Sequence, residues 1–402
     1  MQTLRAEDIA AIRTALLAFF DASARPLPWR ETRDPYAVWI SEVMAQQTRV
    51  ETAVPYYQRW LARFPDVGTL AAAPLDDVLK AWEGLGYYAR ARNLHAAARL
   101  LRECHGSAVP RAYEALRSLP GVGEYTAGAV ASIAFGAPRA AVDGNVRRVL
   151  ARLLDAPAPS PSHLREVAGA LVPEHRPGDF NQALMELGAM ICTPKAPQCQ
   201  RCPVQGYCAA HAAGTQADRP RRKTKRSVPT IDIATAVVRD GARRLLIVRR
   251  PAHGLLAGLW SFPGVELQIG DDPAERAAAI ARPYRLPVPA AGGGGATSAA
   301  RSPSPGIDRR DAARPPRPLG VVEHVFSHRR ERYHCFVIDV SSGAPGGHDT
   351  AWIDEDDDVR ALPRAQQRIR SMALAAMDRQ RATGEAAVLL TRSLHARGPA
   401  SG

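Results

Sequence analysis

The chain has 402 residues, with 53 Lys and Arg against 40 Asp and Glu, a formal net charge of +13. That length calls for two or three domains rather than one, and the charge points to a polyanionic partner, nucleic acid above all, against a basic surface with no specific partner. No stretch approaches ~18 apolar residues, which argues against a membrane span, and the N-terminal MQTLRAEDIAAIRTALLAFF reads as an amphipathic helix carrying acidic residues, not a signal peptide, so the expected compartment is the cytoplasm.

Residues 1–214 are helix-rich by pattern, with helix starts marked by Asp34-Pro35, Pro74-Leu75-Asp76 and Leu119-Pro120-Gly121. The stretch 215–230, opening TQADRPRRKTKRSVP, is polar, Pro-containing and basic, the composition of a linker. Over 231–380 the period changes. IDIATAVV, the dipeptide Asp240-Gly241 and RRLLIVRR form a hairpin signal, and GVVEHVFS with RYHCFVIDV suggests a second. Within that domain, about 287–318 is rich in Gly, Ala, Ser and Pro and reads as a disordered insertion; 381–402 reads as a flexible tail. The expected fold class is multidomain, an all-α domain followed by a smaller α/β domain.

Six cysteines in a reducing compartment argue for metal rather than disulfides. Cys192, Cys199, Cys202 and Cys208 crowd together with the spacing C-x6-C-x2-C-x5-C. Four thiolates so placed can wrap a [4Fe–4S] cube or a tetrahedral zinc. Structural zinc usually uses two C-x2-C pairs and only one is present, which favours iron–sulfur while leaving zinc open. Lys195 and Arg201 in the same loop could reach phosphates or lie solvated.

LPGVGEYTAGAVASIAF places Gly121 and Gly123 directly before an apolar helix. Glycines there let backbone approach a phosphate, and a helix start offers unpaired N–H groups. A lone GVG, however, often marks only a tight turn. Glu42 lies among Trp39, Ile40, Val43 and Met44, so desolvation that raises its pKa is expected. Asp143 precedes a helix beginning near Gly144. Taken singly, Glu42 reads as a helix-surface glutamate and Asp143 as a cap.

Together the motifs are specific. LPWR at 27–30, DPYAVWISEVMAQQTRV at 34–50, GLGYYARARNLH at 84–95 and VDGNVRRVL at 142–150, with the cysteine spacing, resemble the MutY-type adenine DNA glycosylases of the helix-hairpin-helix, endonuclease III-like superfamily. The resemblance implies a [4Fe–4S] cluster on the four cysteines, with Gly121 and Gly123 binding DNA phosphate. It makes Glu42 the acid at adenine N7 and Asp143 the stabiliser of the sugar's oxocarbenium character, with Tyr125 hydrogen-bonded to Asp143 or the leaving region and Asn145 in the same network. Related bifunctional glycosylases carry a lysine at the position of Tyr125; a phenol forms no Schiff base, so strand cleavage should be weak or absent. Arg30 and Gln182 match adenine-pocket positions, and Gln47 and Tyr87 match residues inserted into the vacated base stack.

GLLAGLWSFPGVE at 254–266 and EHVFSHRR at 323–330 resemble the Nudix-like 8-oxoguanine recognition domain of the same family, with Phe326, Ser327 and His328 as the detecting loop. The segment VELQIGDDPAERAAAIA lacks the carboxylate array of a working Nudix hydrolase, so pyrophosphohydrolase activity is not expected. The implied function is a monofunctional glycosylase, active as a monomer on double-stranded DNA with adenine opposite 8-oxoguanine or guanine, and associated with the nucleoid through that DNA. The competing readings are a bifunctional pyrimidine glycosylase/lyase, a non-catalytic iron–sulfur DNA-binding protein and a nucleotide hydrolase.

Overall fold

Helical spacing up to about 220 and alternating spacing after 230 become two compact units, Met1–Lys225 and Arg226–Gly402. The structure, a computed structural model, describes residues 4–221, 227–284, 315–340 and 349–395.

The first unit is helical: α1 (Ala6–Ser23), α2 (Pro35–Ala45), α3 (Val50–Arg63), α4 (Val67–Ala72), α5 (Leu75–Ala81), α6 (Ala89–Cys104), α7 (Tyr113–Arg117), α8 (Glu124–Ile133), α9 (Gly144–Leu153), α10 (Pro161–Leu171), α11 (Pro177–Met190) and the short α12 (Ala209–Ala212). Asp34 caps α2 by accepting the Ala37 N–H at 2.8 Å, and Pro35 fills the first turn, where its missing N–H is harmless. The helix marked by Leu119-Pro120-Gly121 begins after the Gly121–Gly123 turn. Those residues form a turn, because Gly121 has φ +76° and cannot continue a helix, and α8 begins only at Glu124. Leu16, Phe20, Leu150, Leu164, Leu184 and Leu187 pack α1, α9, α10 and α11 into one core, with Cys192, Cys202 and Cys208 against it. From Tyr36 to Met44 every residue of α2 is buried, so this helix lies inside the unit rather than on it. α8 packs on α2 on one side and on α11 on the other.

The stretch expected as a linker begins as part of this unit. Arg219 pairs with Asp155 at 2.7 Å, and the Arg221 N–H reaches the Pro157 carbonyl at 2.7 Å.

The second unit is a mixed sheet between helices: β1 (Thr230–Arg239), β2 (Leu245–Arg249), β3 (Trp260–Ser261), β4 (Gly264–Glu266), α13 (Pro273–Ala281), β5 (Arg317–Val325), β6 (Arg330–Asp339), β7 (Thr350–Ile353) and α14 (Arg364–His395). The order is β3-β2-β1-β6-β5, with β4 on β1 and β7 on β2; β1 and β6 run parallel and the other pairs antiparallel. Alternation sorts the two faces. Ile233 and Val237 pack with Ile369, Ala373 and Met377 of α14, while Ala236 and Val238 pack with Ala277 and Ala281 of α13. The first hairpin turns over Asp240–Arg244 rather than on Asp240-Gly241 alone. Its left-handed residue is Arg243, and the Asp240 carboxylate accepts the Arg244 N–H at 2.8 Å. The insertion expected at 287–318 lies outside the described residues apart from 315–318, where Arg317 already begins β5. α14 continues to His395, into the stretch expected as a flexible tail, since RATGEAAVLLTRSLH contains no proline to stop it. Among the described residues no helix is long and apolar enough to cross a membrane.

Candidate active site

Glu42 sits on the inward face of α2, 9 % exposed. Burial pushes its carboxyl up to about 7, with Asp143 adding to the rise and the Tyr125 hydroxyl and Arg30 opposing it. The Tyr125 hydroxyl, from the first turn of α8, donates to Glu42 Oε2. Sequence reasoning had Asp143 or the leaving region as its partner; the packing of α8 on α2 aims the phenol at Glu42 instead.

Asp143 is the N-cap of α9. Its Oδ1 accepts the Val146 N–H at 2.7 Å and its Oδ2 accepts Asn145 Nδ2 at 2.9 Å. Burial raises its pKa, while those donors and Arg148 pull the other way. Both oxygens therefore already meet N–H groups that favour the anion, whereas Glu42 meets one hydroxyl inside an apolar helix. Burial raises both carboxyls, and Asp143 has more N–H donors opposing the rise than Glu42.

The support is extensive. Arg148 donates to Asn145 Oδ1 at 2.9 Å, to the Gly188 carbonyl at 2.8 Å and to the Cys192 carbonyl at 2.8 Å, tying the Asp143 cap to the cysteine loop. Asn181, buried on α11, holds the strand of chain before Asp143: its Oδ1 accepts the Ala141 N–H at 3.1 Å, and its Nδ2 donates to the Arg139 carbonyl at 2.8 Å.

Arg30 and Gln182 meet beside this pair. Arg30 Nε donates to Gln182 Oε1 at 3.2 Å, Nη1 to the Arg25 carbonyl at 2.8 Å and Nη2 to Glu186 Oε2 at 2.9 Å. Arg30 bonds within the protein through all three nitrogens, with a second N–H still on each of Nη1 and Nη2. It orients Gln182 and leaves the amide N–H2 to meet a ligand. Glu186 is the anchor. Burial would raise its carboxyl, but hydrogen bonds from Arg25 and Arg30 outweigh that and hold it at about 2.

The two glycines of the hairpin differ in purpose. A Cβ at Gly121 would lie 2.5 Å from Asn93 Cβ, so this position needs glycine for packing as well as for its φ. Gly123 has open space where a side chain would be, which leaves the N-terminus of α8 accessible. Beside it opens a cavity of about 480 Å³ lined also by Tyr125, Arg139, Arg147 and Arg165. Arg139 and Arg165 carry no motif in the sequence, while Arg147 lies within VDGNVRRVL at 142–150. Gln47 and Tyr87 are exposed on separate turns, and both have left-handed backbone, φ 54° and 47°.

Cys192, Cys199, Cys202 and Cys208 line one cavity, and Arg152 Nη1 donates to Cys192 Sγ at 3.2 Å from a buried position. Among the described residues no three ligating side chains gather to hold a single ion. Four thiols facing a shared cavity, with an arginine placed to offset thiolate charge, fit a [4Fe–4S] cluster. Lys195 and Arg201 on this loop are exposed, with Arg201 donating to Gln198 Oε1 at 2.7 Å.

In the second unit Phe326, Ser327 and His328 form the tip of the β5–β6 hairpin, closed by the Phe326 N–H on the Arg329 carbonyl at 2.8 Å. Ser327 and His328 are exposed. The Phe326 ring stands edge-on to His324 at 4.5 Å and 6.2 Å from His328. His324, which sequence reasoning missed, is identifiable only once β5 places it two residues before Phe326 on the same face. Buried Glu331 accepts from Arg329 and Tyr333 and fixes the hairpin's base. On α13, Glu275 is the single carboxylate of PAERAAAIA.

Comparison with known proteins places these parts together. Residues 40–174 match the HhH-GPD superfamily of base excision DNA repair proteins, 192–208 the iron–sulfur binding domain of endonuclease III and 234–372 the NUDIX domain. The chain is 37 % identical to the adenine DNA glycosylase of Rattus norvegicus over 84 % of its own length and 72 % of the relative's. It is 36 % identical to that of Homo sapiens, covering 84 % and 68 %, and 32 % identical to that of Schizosaccharomyces pombe, covering 87 % and 86 %. Among solved structures, a thermostable thymine-DNA glycosylase aligns at 31 % identity with a TM-score of 0.49, over 52 % of this chain and 98 % of the other.

Proposed function

This chain belongs to the adenine DNA glycosylase family, hydrolases of N-glycosyl bonds in base excision repair, and from that premise we propose that it excises adenine mispaired with 8-oxoguanine or guanine from duplex DNA, with Glu42 as acid and Asp143 as anion. The observation that carries the reading is the pairing of unlike carboxyls: Glu42 buried and raised to about 7, Asp143 held by two N–H donors.

The target adenine must leave the stack before it can be cut. Gln47 and Tyr87, exposed on their turns, fill the vacated space, and the open backbone at Gly123 with Arg139, Arg147 and Arg165 receives phosphates. Gln182, oriented by Arg30, offers its amide to the base edge. Glu42 gives its proton to adenine N7 as the C1′–N9 bond breaks and the bonding pair leaves with the base. Positive charge develops at the sugar beside the Asp143 carboxylate. Water then adds at C1′, its proton returning to Glu42. Tyr125 presents a phenol and no amine, which supports base release without strand cleavage. The cluster, when bound, supplies Fe–S bonds that brace the 192–208 loop; Arg152 and Arg148 connect that loop to α9.

Recognition of 8-oxoguanine is the part assigned to the Phe326-Ser327-His328 tip: a wedge ring steadied by His324, with a hydroxyl and an imidazole beside it. One chain acting alone has every group this requires. The test is single-turnover adenine release opposite 8-oxoguanine, guanine and thymine, using the parent and a chain with Phe326, Ser327 and His328 all replaced by Ala. The triple variant should lose its preference for the 8-oxoguanine duplex while keeping measurable activity opposite guanine. An unchanged preference would remove this loop from recognition.

A further inference from the structure

A residue with a side chain adopts left-handed backbone only where its surroundings enforce it. Gln47 and Tyr87 both do, at φ 54° and 47°, on turns that belong to different helix pairs. One side chain reaches both. Arg90, in the first turn of α6, donates from Nη1 to the carbonyls of Val43 at 2.8 Å, Met44 at 3.0 Å and Gln46 at 2.6 Å. From Nη2 it donates to Thr48 Oγ1 at 3.2 Å and to the carbonyls of Leu85 at 3.4 Å and Gly86 at 3.3 Å. The guanidinium also lies 5.6 Å from the Tyr87 ring and 5.0 Å from that of Trp82.

All six acceptors are neutral oxygens, and three are carbonyls at the end of α2, where the helix dipole is negative and no further helical N–H is available. Burial lowers the arginine's pKa to about 10, which still leaves it charged at neutral pH. The same α2 terminus is tied to the DNA-facing helix, since Gln46 Nε2 donates to Thr126 Oγ1 of α8 at 3.1 Å.

We propose that Arg90 is the positioning residue of base extrusion: one planar guanidinium locks the Gln47 and Tyr87 turns to each other, so that both side chains enter the duplex as a single rigid wedge. The proposal rests on the reading of Gln47 and Tyr87 as inserting residues. It requires the guanidinium fork rather than a positive charge alone. A lysine ammonium at the end of its flexible stem is a point charge with three donors and cannot span both turns.

The test uses the full chain carrying Glu42→Gln, so that no turnover occurs, and a duplex with 2-aminopurine next to adenine opposite 8-oxoguanine. Fluorescence reports unstacking and anisotropy reports binding. Arg90→Met and Arg90→Lys should both bind within a few-fold of the parent yet lose most of the fluorescence rise. In chains that retain Glu42, single-turnover release should fall about 100-fold, as expected for a misplaced rather than missing group. Circular dichroism checks folding, and if the Met variant fails to fold, Arg90→Lys carries the test. A full rise with Arg90→Lys would overturn the clamp, because charge alone would then suffice. Gln47→Ala and Tyr87→Ala distinguish the two readings. If they reduce the rise while both Arg90 variants leave it intact, the clamp is wrong and the wedge stands. If neither reduces it, the wedge reading itself fails and the clamp with it.

Discussion

A carboxyl that donates a proton near neutral pH needs its charged form to be costly, and Glu42 meets that condition through burial. The folded chain keeps this proton up to about 7, whereas the unfolded chain releases it near the ordinary value of 4.5. The stabilisation is therefore complete below pH 4.5 and is lost as pH rises through 7, amounting to about 3 kcal/mol. Glu42→Gln should match the parent's melting temperature at pH 4.5 and exceed it at pH 8; equal values at both would contradict the burial argument. The Tyr125 hydroxyl pulls the other way by hydrogen-bonding the anion. Tyr125→Phe should thus shift the alkaline limb of the pH–rate profile upward, and a downward shift would show that the phenol does not hold Glu42 in this way. The apolar residues Trp39, Ile40, Val43 and Met44 flank Glu42 in the sequence, so its burial is legible there. The choice of Tyr125 between Glu42 and Asp143 is not, because it depends on how α8 docks on α2.

At the scale of elements, the site depends on how closely α9 and α11 approach. A Cβ at Gly188 would lie 2.6 Å from Asn145 Cβ and 3.1 Å from its Cα, on the residue that donates to Asp143. Gly188→Ala should cost about 1–3 kcal/mol of stability through overpacking, and it should slow single-turnover release while DNA affinity changes little. An unaltered rate would mean that the Asn145–Asp143 contact tolerates displacement. Sequence patterns located α2 and α5 because their starts are written in local chemistry, as with Asp34 and Pro35. They marked the start of α8 twice, by Leu119-Pro120-Gly121 and by the glycine turn before the apolar helix; the helix begins after that turn, at Glu124, and Gly121 turns left-handed against Asn93. The clusters built from distant segments, Arg25 and Arg30 on Glu186 or Arg90 across two turns, are not legible locally: Arg30 and Arg90 lie in the LPWR and GLGYYARARNLH segments, but those segments do not show which remote residues they join.

At the scale of the whole molecule, the motif-bearing first unit was readable over most of its length, while the second was readable mainly through its alternating strands and the 323–330 segment. The cluster ties composition to stability. Its four cysteines face one cavity packed on the core of α1, α9, α10 and α11, so Cys199→Ser should lower iron content and melting temperature together; parent-like values for both would contradict the assignment. The central claim is that a buried acid, Glu42, releases adenine without cutting the strand. Single-turnover cleavage of a duplex with adenine opposite 8-oxoguanine, followed from pH 5 to 9 with and without hot alkali, tests it most directly. The rate should fall as pH rises through about 7, strand breaks should appear only after alkali, and Glu42→Gln should be inactive. A rate that is flat across this range, an active Gln variant or breaks without alkali would contradict the account.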